Sequence, residues 1–169
     1  MIILEASIDD VPKLCTLVNS AYRGDSSRKG WTTEADLLDG IRIDEEMLAA
    51  YINDNHSIIL QCMNYECSLV GCVYLKVEGA QMYLGMLTVA PEFQAKGIGK
   101  LLLKASEEHA LKSACTSLKM TVITSRSELI AWYERNGYRQ TGERQPFPNS
   151  ERFGKPKTQL EFLVLQKYL

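Results

Sequence analysis

The chain has 169 residues, a length that fits one domain of ordinary size. Hydrophobic residues make up 46% of it and charged residues 24%, which excludes a collagen-like or disordered protein. The 19 basic and 21 acidic side chains give a net charge of −2, so the chain has no overall positive field to hold a nucleic acid. We expect one domain over residues 1–169 that does not bind nucleic acids.

The N-terminus and the cysteines predict a cytoplasmic protein. Glu5 and Asp9 interrupt any apolar run that could serve as a signal peptide, and no basic segment precedes them. No apolar stretch reaches the roughly 20 residues of a membrane span. The five cysteines form no C-x-x-C pair and lie in apolar runs, which favours buried, reduced thiols. We therefore expect no disulfides, no bound metal and no membrane association.

The first third of the chain predicts a strand followed by helical regions. After a short apolar run, apolar residues recur at three- and four-residue steps over 11–22, the pattern of an amphipathic helix. Residues 23–33 are polar and predict a loop that exposes Trp31. A second helical region is expected over 34–53, interrupted near 40–44.

The middle of the chain predicts strands and a crossover helix. Three strands joined by short turns form an antiparallel meander over 57–63, 69–77 and 82–89. A helix over 97–112 leads to a fourth strand over 118–123. Because this connection is long and helical, the third and fourth strands should be parallel.

The last third predicts a helix, a long loop and two closing strands. Residues 125–128 have the pattern of a capping box, and the helix they open ends at Asn136-Gly137. Closing strands are expected over 138–141 and 159–166, with a proline-rich loop between them. The predicted fold is of the α/β (α+β) class, with a mixed central sheet of about seven strands and about four helices.

The stretch from Leu87 to Lys100 carries the clearest chemical signal. A strand ends near Pro91, and a turn that contains Gly97 and Gly99 opens a helix. Glycines leave the backbone open to a ligand, and the free amides and dipole at a helix start favour an anion. The segment therefore predicts a site for a diphosphate.

Two common phosphate-binding motifs do not fit this segment. A P-loop needs a glycine where Gln94 stands and Ser or Thr where Leu101 stands. A dinucleotide-binding fingerprint needs a small residue at Leu102 and a parallel strand before the turn. A helix start whose glycines only relieve crowding is a further alternative on the spacing alone.

Two segments together resemble one family. Gln94-x-x-Gly97-x-Gly99 is similar to the acetyl-CoA signature of the GNAT superfamily of N-acetyltransferases, and residues 129–138 resemble that family's downstream helix. With the N-terminal strand and helix, the resemblance covers nearly the whole chain. It implies a splayed pair of parallel central strands, and transfer of an acetyl group from acetyl-CoA to a primary amine.

The resemblance implies a cofactor site built mainly from backbone. The pantetheine arm pairs with the strand at 87–89 as an added strand would, and the diphosphate lies on the amides of 94–100. Arg126 stands where many members have an asparagine. The residues assigned to acetyl-CoA are Leu87, Thr88, Val89, Gln94, Ala95, Lys96, Gly97, Ile98, Gly99, Lys100 and Arg126.

Tyr133 matches the family's general acid, which protonates the departing thiolate of CoA. A phenol, with an ordinary pKa of about 10, stays protonated at neutral pH as a donor should. Attack by the amine creates an oxyanion that amides such as that of Leu87 would hold. The strand at 82–89 carries no acidic general base, which leaves a water chain or a carboxylate such as Glu34.

The sequence does not identify the acceptor amine, and a small molecule or a peptide would fit. Neither a nucleic acid nor a membrane is expected as a partner, and the oligomeric state, a homodimer included, is open. The alternative function is a non-catalytic acyl-CoA-binding sensor or interaction module, against which the presence of Tyr133 argues. The candidate acceptor-binding residues are Tyr22, Trp31 and Glu34, with Arg23, Asp25, Thr32 and the proline-rich loop at 143–157.

Overall fold

The computed structural model describes residues 1–148, 152 and 154–169. Its strands are β1 (Ile2–Glu5), β2 (Leu38–Asp39), β3 (Ser57–Met63), β4 (Leu69–Glu78), β5 (Gln81–Val89), β6 (Ser117–Ile123), β7 (Arg139–Pro146), β8 (Lys155–Pro156) and β9 (Glu161–Tyr168). Its α-helices are α1 (Val11–Tyr22), α2 (Gly24–Ser27), α3 (Glu45–Asn53), α4 (Ile98–Lys112) and α5 (Ser127–Arg135).

The central sheet is mixed. Within the described residues it has seven strands in the order β1-β3-β4-β5-β6-β9-β7. Neighbouring strands are antiparallel except β5 and β6, which α4 connects and which run parallel. The predicted sheet, its N-terminal meander and its crossover helix are confirmed.

The parallel strands β5 and β6 separate after a short paired stretch. Residues 81–83 of β5 pair with residues 117–119 of β6, and the pairing stops there. The register between β4 and β5 then shifts between Cys72 and Tyr74, and Met86 has a φ of 52° in the left-handed region. Such a bulge adds a residue to one strand and bends it. A gap therefore opens between the ends of β5 and β6.

Helices cover both faces of the sheet. On one face, α4 and α5 bury Leu102 and Ile130 against strand residues such as Leu84. On the other face, α1 and α3 bury Leu14 and Leu48. Each fully buried side chain of this size contributes roughly 2 kcal/mol. The two layers thus hold the strands that border the gap in place.

Residues 34–44 correct the prediction of a helix that begins at Glu34. The helix here is α3, which Asp44 caps by accepting a hydrogen bond from the N–H of Met47 at 2.7 Å. Before it, β2 pairs with β8, and Gly40 has a left-handed φ of 89°. Because β8 lies far along the chain, the local apolar spacing around Leu37 gave no sign of this pairing.

Three smaller features also differ from the sequence predictions. The N-cap of α5 is Arg126, and no side chain caps the helix, so the expected capping box is wrong. The strand β7 extends to Pro146, into the region expected to be a loop. Cys67 is exposed, whereas burial was expected for every cysteine.

No helix of the described chain has both the length and the apolar character required to cross a membrane.

Candidate active site

The gap between β5 and β6 exposes backbone hydrogen-bonding groups of β5. The N–H of Ala90 binds the carbonyl of Val70 on β4, and alternate residues of a strand point to opposite sides. Val89 and Leu87 therefore direct their N–H and C=O groups into the gap. Side chains bind both carbonyls: the Tyr22 hydroxyl donates to Leu87 at 2.5 Å, and Gln94 donates to Val89 at 3.1 Å.

The turn after β5 leads into the start of α4 and leaves its first amides open. Ala95 has a φ of 60° and Gly97 a φ of 85°, so both lie in the left-handed region. Gly97 is the N-cap of α4, and no side chain caps the helix there. A Cβ at Gly97 would meet nothing within 4 Å. Free amides, a helix dipole and open space together make this turn suitable for an anion.

Gly99 has a different role from Gly97. A Cβ at Gly99 would lie 3.2 Å from the ring of Trp132, which is tighter than ordinary contact. The missing side chain lets α5 pack closely on the first turn of α4. The space that a side chain of Gly99 would fill is thus taken by Trp132 and not by a ligand. Gly99 itself also lines the turn cavity, which is described below.

Tyr133 lies on the buried side of α5 and is 6% exposed. Its ring makes edge contacts with Trp132 and Tyr138, with centroids 5.0 and 5.7 Å away. No hydrogen bond ties its hydroxyl to any other described residue. Burial, and to a smaller extent the neighbouring Tyr22, raises the pKa of Tyr133 well above its usual value. The phenol therefore keeps its proton throughout the neutral range and can act as a donor, not as a base.

A cavity of about 680 Å³, here named the turn cavity, lies between the gap, the turn and α5. All the residues that the sequence assigned to acetyl-CoA line it, except Thr88 and Lys96. Thr88 is buried on the other face of the sheet, where its hydroxyl donates to the carbonyl of Met86. The Nζ of Lys96 lies 4.8 Å from the centre of the Phe93 ring. Most residues that line the turn cavity are apolar or glycine, and the charged ones are Lys100, Arg126, Glu128 and Arg135.

A second cavity, of about 240 Å³, lies across the gap and is here named the arginine cavity. Arg23, Arg42, Arg126 and Glu34 are among its lining residues, together with aromatic rings. Both cavities share a border, so Tyr133 faces each of them. The shared residues are Tyr22, Leu87, Arg126, Leu129 and Tyr133.

Glu34 lies in a buried ion-pair cluster that the sequence did not reveal. One of its carboxylate oxygens pairs with Arg23 and the other with Arg126, at 3.0 Å in the second case. Arg126 also donates to the carbonyl of Thr32 at 2.9 Å. All three charged side chains are 9% exposed or less. The guanidinium of Arg126 therefore holds the segment before β2 in place, although Arg126 also lines the turn cavity.

Gln94 is the first residue of the predicted signature. Its side chain connects the segment around Trp31 to the turn after β5. It accepts a hydrogen bond from the N–H of Trp31 at 2.9 Å and donates to the hydroxyl of Thr32 at 2.8 Å. A Cβ at Gly30 would lie only 2.7 Å from the Gln94 amide, so a larger residue there would displace this amide. The side chain of Gln94 thus has protein partners on both sides.

The predicted acceptor residues divide between the two cavities. Tyr22, Arg23 and Glu34 line the arginine cavity. Trp31 and Thr32 instead line the turn cavity, where the Trp31 ring lies 6.3 Å from that of Trp132. Asp25 is exposed and lines neither. Residues 149–151 and 153 of the proline-rich loop lie outside the described residues, and the described ones hold no cluster of metal-binding side chains.

Comparison with known proteins agrees with this geometry. A family model for the acetyltransferase (GNAT) domain matches residues 34–151. A protein of Bacillus subtilis (strain 168), YdhI, is 28% identical over 88 residues, which are 52% of each chain. The match thus spans about half the length of this curated relative.

Solved structures share the whole fold at low sequence identity. The ribosomal-protein-alanine N-acetyltransferase from Brucella melitensis is 21% identical with a TM-score of 0.72, and the alignment covers 100% of both chains. The PaiA N-acetyltransferase from Thermoplasma acidophilum, solved in complex with coenzyme A, is 19% identical with a TM-score of 0.70 and the same coverage. At this identity the likeness establishes the fold.

Proposed function

Because the chain belongs to the acetyltransferase (GNAT) family, we propose that it transfers an acetyl group from acetyl-CoA to a primary amine by direct attack. One observation carries the proposal. Backbone groups of β5, an open helix start and the protonated phenol of Tyr133 border one cavity, and a second cavity meets it at Tyr133. A donor and an acceptor can thus approach the same point from opposite faces of the sheet.

Acetyl-CoA fits the groups that border the turn cavity. Leu87 and Val89 lack a partner strand on the gap side, so the amides of pantetheine can pair with the N–H of Val89 and with the remaining lone pairs of the two carbonyls. The diphosphate fits the turn at Gly97, where no side chain obstructs the amides. Lys100 lines the same cavity and adds a positive charge. The cosubstrate supplies the reactive thioester, and the protein supplies position and polarity.

The proposed reaction forms a C–N bond and breaks a C–S bond. The amine adds to the thioester carbonyl, whose oxygen gains negative charge that the N–H of Leu87 can stabilise. The carbon–sulfur bond then breaks, and the hydroxyl of Tyr133 donates its proton to the departing sulfur. The nitrogen loses one proton to water, and water restores the proton of Tyr133.

Glu34 does not act as the general base, and Glu128, the carboxylate that lines the turn cavity, lies on the side assigned to acetyl-CoA. Glu34 is the one carboxylate that borders the arginine cavity within the described chain, and arginines bind both of its oxygens. It therefore acts as a positioning residue. The amine proton leaves through water, or the amine enters uncharged.

The cysteines support direct attack over a covalent acyl-enzyme. Burial raises the pKa of Cys72 to about 12, and it also raises the pKa values of Cys62 and Cys115. A thiol attacks as a thiolate, so a raised pKa disfavours these groups as nucleophiles, and none of the described cysteines lines either cavity. Cys67, in the exposed turn between β3 and β4, lines neither cavity.

A thiol-release assay tests the proposed function. Purified protein is incubated with acetyl-CoA and single amines, free CoA is measured, and calorimetry gives the affinity for acetyl-CoA. Amine-dependent release of CoA is expected. Tight binding of acetyl-CoA without turnover of any amine would instead favour the non-catalytic acyl-CoA-binding module.

A further inference from the structure

The arginine cavity has a strongly positive lining. Among its described lining residues are three guanidiniums, those of Arg23, Arg42 and Arg126, and a single carboxylate, that of Glu34. Glu34 already pairs with Arg23 and Arg126. The cluster of these three side chains therefore keeps a positive charge, and Arg42 adds another.

Arg42 differs from the other two arginines because no carboxylate of the described residues pairs with it. Among the described residues no carboxylate lies within 4.0 Å of its guanidinium, which sits 5.7 Å from the centre of the Tyr22 ring. Hydrogen bonds with Asn19 fix the backbone at Arg42. The side-chain oxygen of Asn19 accepts from the N–H groups of Arg42 and Ile43, and its amide donates to the carbonyl of Ile43 at 2.9 Å. Helix α1 thereby fixes the backbone that carries Arg42 at the cavity.

The remaining walls of the arginine cavity are largely aromatic and apolar. Tyr51 and Tyr83 lie on one side, and Phe147 and Phe162 pack together on another with their ring centres 5.1 Å apart. The volume of about 240 Å³ is below the roughly 300–1,000 Å³ of pockets for drug-sized ligands. The cavity therefore suits a small molecule with an apolar body.

The charge of the cavity selects between classes of amine. A polyamine or another polycation would bring several positive charges against Arg42, while Glu34, the carboxylate among the described lining residues, is already paired with two arginines. Like charges in a partly buried site repel strongly. A carboxylate on the acceptor would instead receive a charge-assisted, two-pronged hydrogen bond from a guanidinium. The positive surroundings also favour the uncharged form of the amine, which is the form that attacks.

Building on the proposed acetyl transfer, we propose that the acceptor is a small primary amine that also carries a carboxylate, with an aromatic or apolar body, and that Arg42 binds this carboxylate. The acceptor class is thus an amino acid in the broad chemical sense. The amine faces Tyr133 and the gap, and the carboxylate faces Arg42.

Matched pairs of amines test the proposal through kcat/KM for CoA release. The probes are L-phenylalanine with L-phenylalaninamide, and 4-(aminomethyl)benzoate with 4-(aminomethyl)benzamide, which place the carboxylate near to or far from the amine. Spermidine is the polycationic probe. At least one acid is expected to exceed its own amide by about 10-fold or more, and spermidine to be the poorest acceptor.

The variant Arg42→Ala should bring the acid-to-amide ratio of kcat/KM close to one, and Arg42→Lys should restore part of it. Arg139→Ala, which removes an exposed arginine of β7, should leave the ratio at its wild-type value. Thermal unfolding establishes that each variant is folded, and Arg42→Gln replaces the alanine variant if that one is unstable.

The outcomes separate the two proposals. Amides or spermidine turned over as well as the acids, or a ratio that Arg42→Ala does not change, would overturn the acceptor class while acetyl transfer stands. Acetyl-CoA binding without turnover of any of the five amines would overturn the acceptor class, and failure of every amine in the thiol-release assay would overturn acetyl transfer as well.

Discussion

The turn cavity and the arginine cavity meet at Tyr133 but are built in different ways. The turn cavity takes most of its lining from the continuous segment at 87–100 and from α5, and the open amides of the turn at Gly97 are part of that segment. The arginine cavity takes side chains from segments that are far apart in the chain, among them Arg42, Arg126 and Phe162.

This difference matches the two tasks of the proposed reaction, which are to bind acetyl-CoA and to select the acceptor amine. In the proposed reaction, backbone amides and glycines are to bind the diphosphate and the pantetheine arm whatever the acceptor is, so that half of the site needs few particular side chains. Charged and aromatic side chains determine which amine fits the other half. Substitutions should therefore act on the two cavities by different mechanisms.

The largest expected effect concerns the stability of the arginine cavity. Glu34→Ala leaves the guanidiniums of Arg23 and Arg126 without their buried carboxylate, and loss of one partner from such a cluster costs about 3 kcal/mol of unfolding free energy. Urea unfolding measures the change. Glu66→Ala, in an exposed turn, is the control and should change stability by less than about 0.5 kcal/mol. Equal stability of the two variants would mean that the cluster contributes nothing to the fold.

The next effect concerns the point where the two cavities meet. Tyr133→Phe should lower kcat by about 10²-fold, or roughly 2.7 kcal/mol, because the departing sulfur loses its proton donor. The affinity for acetyl-CoA, measured by calorimetry, should stay near wild type. Since burial raises the pKa of Tyr133, its titration should not limit kcat below about pH 10.

Tyr138→Phe provides a matched control for the Tyr133 variant. Tyr138 is fully buried beside Tyr133, and its hydroxyl has no hydrogen-bond partner among the described residues. Removing this hydroxyl should leave kcat unchanged. If both variants lost activity equally, packing of the aromatic cluster rather than proton donation would be responsible. An effect of Tyr133→Phe on KM alone would assign the hydroxyl to substrate positioning.

A third prediction concerns the backbone of the turn cavity. Gly97→Val should raise the dissociation constant of acetyl-CoA at least about 10-fold, or 1.4 kcal/mol, because the side chain would fill the open space beside the first amides of α4. Gly79, in the turn between β4 and β5, also has a left-handed φ, of 64°, and open space around it. Gly79→Val therefore carries similar backbone strain at a remote position. Equal affinities of the two folded variants would remove the diphosphate from the turn.

The sequence predicted the turn cavity far better than the arginine cavity, for a physical reason. An anion-binding turn needs a strand end, glycines and a helix start in succession, so Gln94, Gly97 and Gly99 give a local signal. Glu34 pairs with Arg23 and with Arg126, and no local sequence pattern links these residues. Arg126 is distant in the sequence, and only the fold brings it near Glu34. No periodicity could indicate that Arg42 reaches the same cavity.

The errors of the sequence interpretation have the same origin. The expected helix at Glu34 relied on apolar spacing around Leu37, but the pairing of β2 with β8 fixes this segment instead. The capping box at Ser125 was predicted from a local pattern. In the structure, the N-cap of α5 is Arg126, whose side chain binds Glu34 and leaves the helix without a side-chain cap. In both cases, a contact between distant segments decided the outcome. Trp31 stays a predicted acceptor-binding residue, and its ring lies against Trp132 at the turn cavity.

The smallest expected effects concern the two lysines of the turn, and they sharpen the contrast between backbone and side-chain recognition. Lys100 lines the turn cavity, whereas Lys96 lies over the Phe93 ring and does not. Exposed charges contribute little because water and salt screen them. Lys100→Ala should therefore raise the dissociation constant of acetyl-CoA only about 3-fold, and Lys96→Ala less than about 2-fold, with both effects shrinking as salt is added. Calorimetry at low and high ionic strength measures them. If Lys96→Ala weakened binding as much as Gly97→Val, side-chain charge rather than the open amides would hold the diphosphate, and the turn cavity would resemble the arginine cavity after all.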